Sequence, residues 1–178
     1  MITLLLGGAR SGKSAVAESL AARLPGPVTY LATAGVAPDD PDHVARVAAH
    51  QARRDPSWTT IEAGPDLVAV LAATSGTVLV DSLGTWVTAT GLDGPDPLAV
   101  APDVDGLRAA LLGRTGDAVL VSEEVGLGVH PSSELGRRYR DVLGSVNLAV
   151  AEVADVVHLV VAGRLLPLER VDPPEDRS

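Results

Sequence analysis

Short β-branched or leucine-rich runs alternate with segments of helical periodicity, which predicts an α/β fold. The expected architecture is a three-layer sandwich: a mostly parallel central sheet covered by helices on both faces. Three observations carry this. The runs ITLLL (2–6), VTYLAT (28–33), TVLVD (77–81), DAVLVSE (117–123) and VVHLVVA (156–162) show little polar alternation, as strands covered on both faces do. The segments between them are long enough for crossover helices. Hydrophobic residues make up 46% of the 178 and charged ones 21%, enough to fill the core of one ordinary domain.

Taken in order, strand 2–6 runs into a glycine-rich turn and a helix from Lys13 to Leu24, with Val16, Leu20 and Leu24 on one face and Pro25 as its stop. Strand 28–33 precedes a helix over 41–54, with Pro41 in its first turn and Asp39 or Asp40 as cap. WTTIE (58–62) is a weaker third strand, followed by a helix over 66–74. TVLVD is a buried strand ending in an acid, and residues 83–90 are helical. GLDGPDPLAVAPD (91–103) is a long Pro/Gly/Asp loop. A helix at 104–112 leads to strand 117–123, loop VGLGVHP (125–131) to the longest helix, 132–154, and strand 156–162 closes the series. A single domain over 1–166 is expected, with a disordered tail at 167–178.

Lys plus Arg total 14 and Asp plus Glu 23, a net charge of −9, which argues against a general binder of nucleic acid or anionic membranes. With no cysteine, the chain has no disulfide, thiolate metal site or Cys nucleophile. No apolar run approaches a membrane span, and 2–6 is too short for a signal-peptide core, so a cytoplasmic protein is expected. Aromatics are 2%, too few for a stacking platform.

Residues 7–14 read GGARSGKS, the phosphate-loop pattern G-x-x-x-x-G-K-[ST], between a strand and a helix. Gly7, Gly8, Ala9, Arg10, Ser11 and Gly12 would turn successive N–H groups onto phosphate oxygens, and the helix N-terminus adds partial positive charge. Lys13 is placed for the β and γ phosphates, and the Ser14 hydroxyl for Mg2+. Lys13 is the chain's sole lysine; every other cationic side chain is arginine. A compact ammonium has been kept where a planar guanidinium would not fit. The sandwich is thus expected to be of P-loop NTPase type. Asp81, at a strand end, is a second Mg2+ candidate, or else a solvated acid opening the next turn. A GTPase switch would need N-K-x-D, which a single lysine excludes. On helix 41–54, His43, His50, Arg46, Arg53 and Arg54 share a stripe beside the apolar one, either a surface for triphosphate or a solvated face. His158 is expected to be packed in the core, while His130 lies in a loop near the ligand edge.

These residues resemble the bifunctional adenosylcobinamide kinase / adenosylcobinamide-phosphate guanylyltransferase family of cobalamin synthesis. The similarity runs from residue 2 to about 163: GGARSGKS-x-x-AE, YLATA (30–34), DP-x-x-x-AR-x-x-x-H-x-ARR ending at Arg54, WTTIE, VLVDSLGTWVT (78–88), VLVSEEVGLGVHP (119–131) and RRYRDVLGSVN (137–147). The resemblance implies phosphorylation of adenosylcobinamide by ATP or GTP. It then implies transfer of GMP from GTP to adenosylcobinamide phosphate through a GMP–histidine intermediate, releasing pyrophosphate. His50 matches that histidine, and Lys13 and His50 become the catalytic pair. Ala32, Thr33, Ala34, Gln51, Ala52, Arg53, Arg54, Glu62 and Asp81 match the family's other nucleotide contacts. Mg2+ is implied as cofactor, and a homo-oligomer, a trimer, as assembly. In three places the chain departs from the family pattern: His43 stands where an apolar residue is frequent, Asp81 stands where Glu is frequent, and the N-E-V-G block reads Glu123-Glu124-Val125-Gly126. The alternatives are a P-loop small-molecule kinase without guanylylation and a nucleotide-dependent regulatory switch. Because γ-phosphoryl and α-phosphoryl chemistry need different placements, either the His50 helix shifts or the nucleotide takes two poses.

Overall fold

The computed structural model describes residues 1–34, 55–92 and 101–171. Its strands are β1 (Ile2–Gly7), β2 (Val28–Ala32), β3 (Thr59–Glu62), β4 (Thr77–Asp81), β5 (Ala118–Glu123), β6 (Val156–Val161) and β7 (Arg164–Pro167). They form one seven-stranded sheet in the order β3-β2-β4-β5-β1-β6-β7. All neighbours are parallel except β6 and β7. The helices are α1 (Lys13–Ala21), α2 (Leu67–Ala73), α3 (Leu83–Val87), α4 (Val104–Leu112) and α5 (Glu134–Val153). The mostly parallel α/β sandwich expected from the buried apolar runs is what the chain forms.

Strand pleating divides the core in two. Leu5, Tyr30, Leu79, Val119 and Val121 face α1, where they meet Ala17 and Ala21. Alternate residues Leu4, Leu31, Val78, Val80 and Leu120 face the other way, onto Leu67 and Leu71 of α2, Trp86 of α3, Leu107 and Leu111 of α4, and Leu143, Val146 and Val150 of α5. Helix starts are set by local chemistry. Ser82 caps α3 by accepting from the Thr85 N–H, Asp103 caps α4 through the Gly106 N–H at 2.9 Å, and Ser133 caps α5 through the Gly136 N–H at 3.1 Å.

Three expectations change. Helix α1 stops at Ala21 rather than Leu24, because the Arg23 and Leu24 N–H groups bond three residues back, to the Leu20 and Ala21 carbonyls, in a tightened turn. Strand β7 was not foreseen. Ala162 (φ 50°) and Gly163 (φ 72°) both take the left-handed conformation of a two-residue hairpin turn, and an Ala-Gly pair is a weak signal for it. His158 is half-buried rather than packed inside, since β6 lies next to the sheet's last strand. Its Nδ1 is buried with no hydrogen-bond partner among the described residues. The expected helix 41–54 and residues 93–100 of the long loop lie outside the described residues.

Candidate active site

The crossover from β1 to α1 is the phosphate loop. Gly12 holds φ 90°, a conformation that glycine adopts without strain, and Arg10 also has a positive φ of 57°. A side chain at Gly12 would also press on the Gly163 backbone, 3.3 Å from its Cα. The Gly163 N–H donates to the Ser11 carbonyl at 2.7 Å, so the β6–β7 hairpin braces the loop. Gly8, Ala9, Arg10 and Gly12 are exposed, leaving the loop open to a ligand. Helix α1 begins with no side-chain cap and no acid in its first turn, so its N–H groups and positive dipole end are left for an anion. The Ser11 Oγ is buried without a hydrogen-bond partner among the described residues, a polar atom that a bound oxygen would satisfy.

Lys13 is almost wholly buried. Its Nζ donates to the Gly8 carbonyl at 3.4 Å and stands 3.4 Å from Glu123 Oε1. That pairing follows from topology: β5 lies beside β1, and Gly7 is in register with Glu123. Ser82 Oγ lies 3.1 and 3.0 Å from the two Glu123 carboxylate oxygens. Gly84 of α3 packs against the same carboxylate and the Tyr139 hydroxyl so closely that a Cβ there would lie 2.6 Å from the Tyr139 oxygen. Burial, and then the charge of Glu123, push the Tyr139 phenol up to about 12. The end of β5 is pinned from behind. Asn147 of α5 accepts from Ser122 Oγ at 2.6 Å and donates to the Glu123 carbonyl at 3.1 Å.

Asp81 ends β4, with β5 between it and β1, so it lies roughly 10 Å across the sheet from the phosphate loop. Its Oδ2 accepts from the Tyr30 hydroxyl at 2.8 Å, on the α1 face. Thr33 is fully buried and uses its hydroxyl on the Ser82 carbonyl (2.6 Å), the Ser82 N–H (2.8 Å) and Thr85 Oγ1 (2.6 Å). It thus shapes the turn after Asp81 instead of facing the cleft. Ala32 is buried and Ala34 half-buried beside it. Glu62 is exposed at the end of the outermost strand, β3, about 19 Å from β1 at four strand spacings. The structure therefore gathers Lys13, Asp81, Ser82 and Glu123 along one edge and sets Glu62 apart. His50, Gln51, Ala52, Arg53 and Arg54 lie outside the described residues.

Ser14, in the first turn of α1, and Asp81 are hard oxygen donors of the kind Mg2+ takes beside phosphate oxygens. Among the described residues no cluster of three or more His, Cys, Asp or Glu forms a metal cage of its own. An open groove of about 500 Å³ lies between α2 and α4, near Arg114 and far from this edge. No helix among the described residues is long and apolar enough to cross a membrane.

Sequence reasoning missed Ser82, Gly84 and Tyr139, and left Glu123 without a role. The signal available was the acid at 123 where an amide was expected. Its meaning depended on which strand neighbours β1.

Comparison with known proteins agrees with this geometry. The family model described as cobinamide kinase / cobinamide phosphate guanyltransferase matches residues 3–168. The bifunctional adenosylcobalamin biosynthesis protein CobP of Pseudomonas aeruginosa is 44% identical over 177 residues, covering 95% of this chain and 98% of that protein. The bifunctional adenosylcobalamin biosynthesis protein CobU of Salmonella typhimurium is 34% identical, with 92% and 97% covered. Among solved structures, a type III secretion system ATPase superposes with a TM-score of 0.51 at 11% identity, covering 89% of this chain and 50% of that one, a likeness of fold alone. With a phosphate loop on a mostly parallel sheet, a family model matched over residues 3–168 and relatives matched in sequence over nearly their whole length, the chain belongs to the cobinamide kinase / cobinamide phosphate guanyltransferase family.

Proposed function

We propose that this chain carries out both reactions of its family at the carboxyl edge of the sheet. It phosphorylates the aminopropanol hydroxyl of adenosylcobinamide with ATP or GTP. It then transfers GMP from GTP to the resulting phosphate, giving adenosylcobinamide-GDP and pyrophosphate. The observation that carries this reading is Lys13: the chain's sole lysine is buried behind an exposed glycine-rich loop at an uncapped helix start.

In the first reaction the loop N–H groups, from Gly7 to Ser14, and Lys13 hold the β and γ phosphates and stabilise the charge that develops as the γ-phosphoryl group moves. Ser14, with Asp81 further along the same edge, would hold Mg2+, which would supply positive charge against the triphosphate. In the second, a neutral His50 nitrogen attacks the α-phosphorus, pyrophosphate leaves, and a phosphoramidate forms. The substrate phosphate then displaces the imidazole. Arg53 and Arg54 neutralise the transferring group, and Glu62 accepts guanine N–H groups. The distance of Glu62 from the phosphate loop favours a nucleotide laid across the strand ends, with its base toward β3. Association into a homo-oligomer, a trimer, belongs to the same reading, and the exposed Leu165, Leu166 and Leu168 offer a surface for it.

Incubation with α-labelled GTP tests the covalent step. Label retained on the protein, stable to base, released by acid and absent from His50→Ala is the expected result. No label on the native protein would leave a small-molecule kinase without guanylylation. Nucleotide turnover stimulated only by a protein partner would instead indicate a regulatory switch.

A further inference from the structure

The loop 125–131, between β5 and α5, holds two aliphatic side chains out in solvent: Leu127 is 82% exposed and Val129 95%. The loop around them is fastened at both ends. At its start the Glu124 N–H donates to the Gly7 carbonyl at 3.1 Å, the Gly126 N–H donates to Glu124 Oε1 at 2.6 Å, and Val125 packs against the core on the α5 side. At its end Arg137 donates to the Pro131 and Ser132 carbonyls at 3.2 and 3.0 Å, and Arg140 to His130 Nδ1 at 2.7 Å. A lone exposed aliphatic side chain needs no explanation. Two of them, turned outward on a short loop pinned on either side, keep apolar area in water until something covers it.

The position of the loop says what that is. Gly7 opens the phosphate loop, so the 125–131 loop begins against it. Leu127 follows Glu124 by three residues, no more than about 11 Å of chain. Helix α1, whose N-terminus is left for the phosphates, covers one face of the sheet, and the loop leads to α5 on the other. It therefore flanks the phosphate loop on the side that α1 leaves open.

We propose that Leu127 and Val129 form the docking lip for the corrinoid acceptor. The inference rests on the phosphate loop being the site of transfer to that acceptor. The hydroxyl to be phosphorylated ends one arm of a large macrocycle whose rim carries methyl groups and amide arms. With that hydroxyl at the γ-phosphorus, the macrocycle is too large to enter the phosphate loop, and its rim lies on whatever borders it. Aliphatic side chains suit the methyl groups of such a rim. Leu165, Leu166 and Leu168 are exposed as well, but they lie on or just beyond β7, the last strand of the sheet, whose unpaired edge suits another chain. Because the same macrocycle is the acceptor in both reactions, the lip serves both, and it serves the acceptor rather than the nucleotide.

The test uses the full-length protein carrying Leu127→Ser with Val129→Ser. KM for adenosylcobinamide in phosphorylation is expected to rise about tenfold, and KM for adenosylcobinamide phosphate in GMP transfer by a similar factor, with kcat held within threefold. KM for ATP should move less than twofold, and labelling of the protein by α-labelled GTP without acceptor should stay at the native level. Leu127→Met with Val129→Ile, which keeps the aliphatic surface, should hold both corrinoid KM values within twofold of native. Both side chains are exposed, so the melting temperature should not change. A rise in the adenosylcobinamide KM of less than threefold overturns the proposal. So does an ATP KM that rises in step, which would mean that the loop only supports the phosphate loop. An altered sedimentation coefficient would assign the lip to a contact between copies of the chain and overturns it too. Failure of the underlying reading shows in the native protein instead: if it does not phosphorylate adenosylcobinamide, that reading falls and the lip falls with it.

Discussion

Gly84→Ala adds one methyl group at the most crowded point of the candidate site. An ideal Cβ there would lie 2.6 Å from the Tyr139 hydroxyl oxygen and 2.9 Å from the Glu123 carboxyl carbon, and would overlap Glu123 Oε2. Something must move. Overpacking costs about 1–3 kcal/mol in a rigid interior. Here the obstructing atoms are the far ends of two side chains, one of them partly exposed, so the lower figure applies. Replacing glycine by alanine inside a helix returns about 1 kcal/mol. The two nearly cancel, and Tm should change by less than about 4 °C in a chain of this size. Function is not protected in the same way. The displaced carboxylate leaves Ser82 and Lys13, so phosphorylation of adenosylcobinamide should fall at least tenfold.

Thermal melts of Gly84→Ala, Glu123→Ala and the double variant, run beside the phosphorylation assay, check this. In the double variant the clash with Glu123 is gone and only that with the Tyr139 hydroxyl remains, so Gly84→Ala should lower Tm less in the Glu123→Ala background than in the native protein. A Gly84→Ala protein that melts normally and phosphorylates within twofold of the native rate would refute the claimed close approach. A fall in Tm beyond 10 °C would show that the backbone, not the side chains, gives way.

Two further outcomes follow from particular contacts. Arg114 donates to the Leu71 and Thr74 carbonyls at 2.7 Å each and to the Gly76 carbonyl at 2.6 Å, tying the end of α2 to the start of β4; Arg114→Ala should cost about 2–3 kcal/mol and lower Tm by roughly 5–10 °C, read by calorimetry. Because the Tyr139 phenol in the fold is held at about 12 against an ordinary 10.0, its stabilising contribution is intact below pH 10 and is lost as pH rises toward 12. Ultraviolet difference titration of native protein against Tyr139→Phe should place its midpoint near 12, and Glu123→Gln should lower that midpoint; a value near 10 in the native protein would contradict the buried, acid-flanked environment.

What could be read from the chain alone was what short stretches encode. The phosphate loop is eight contiguous residues between a strand and a helix, and Lys13 announced itself by being the sole lysine. The buried strands were legible because both of their faces are covered, and the family was legible because its motifs are local. Legibility failed where partners are distant in sequence or where turn chemistry is atypical. The Ala162–Gly163 turn hid β7, although that hairpin braces the phosphate loop through the Gly163 N–H. Glu123 looked like a departure from a motif until the strand order set β5 directly beside β1 and brought its carboxylate to Lys13, 110 positions earlier. The same order held Asp81 one strand further away and left Glu62 at the rim. Propensity and periodicity act over a few residues, whereas strand adjacency is decided by how whole faces bury one another. The sequence determined that this protein holds a phosphate loop; only tertiary packing determined which acid stands next to it.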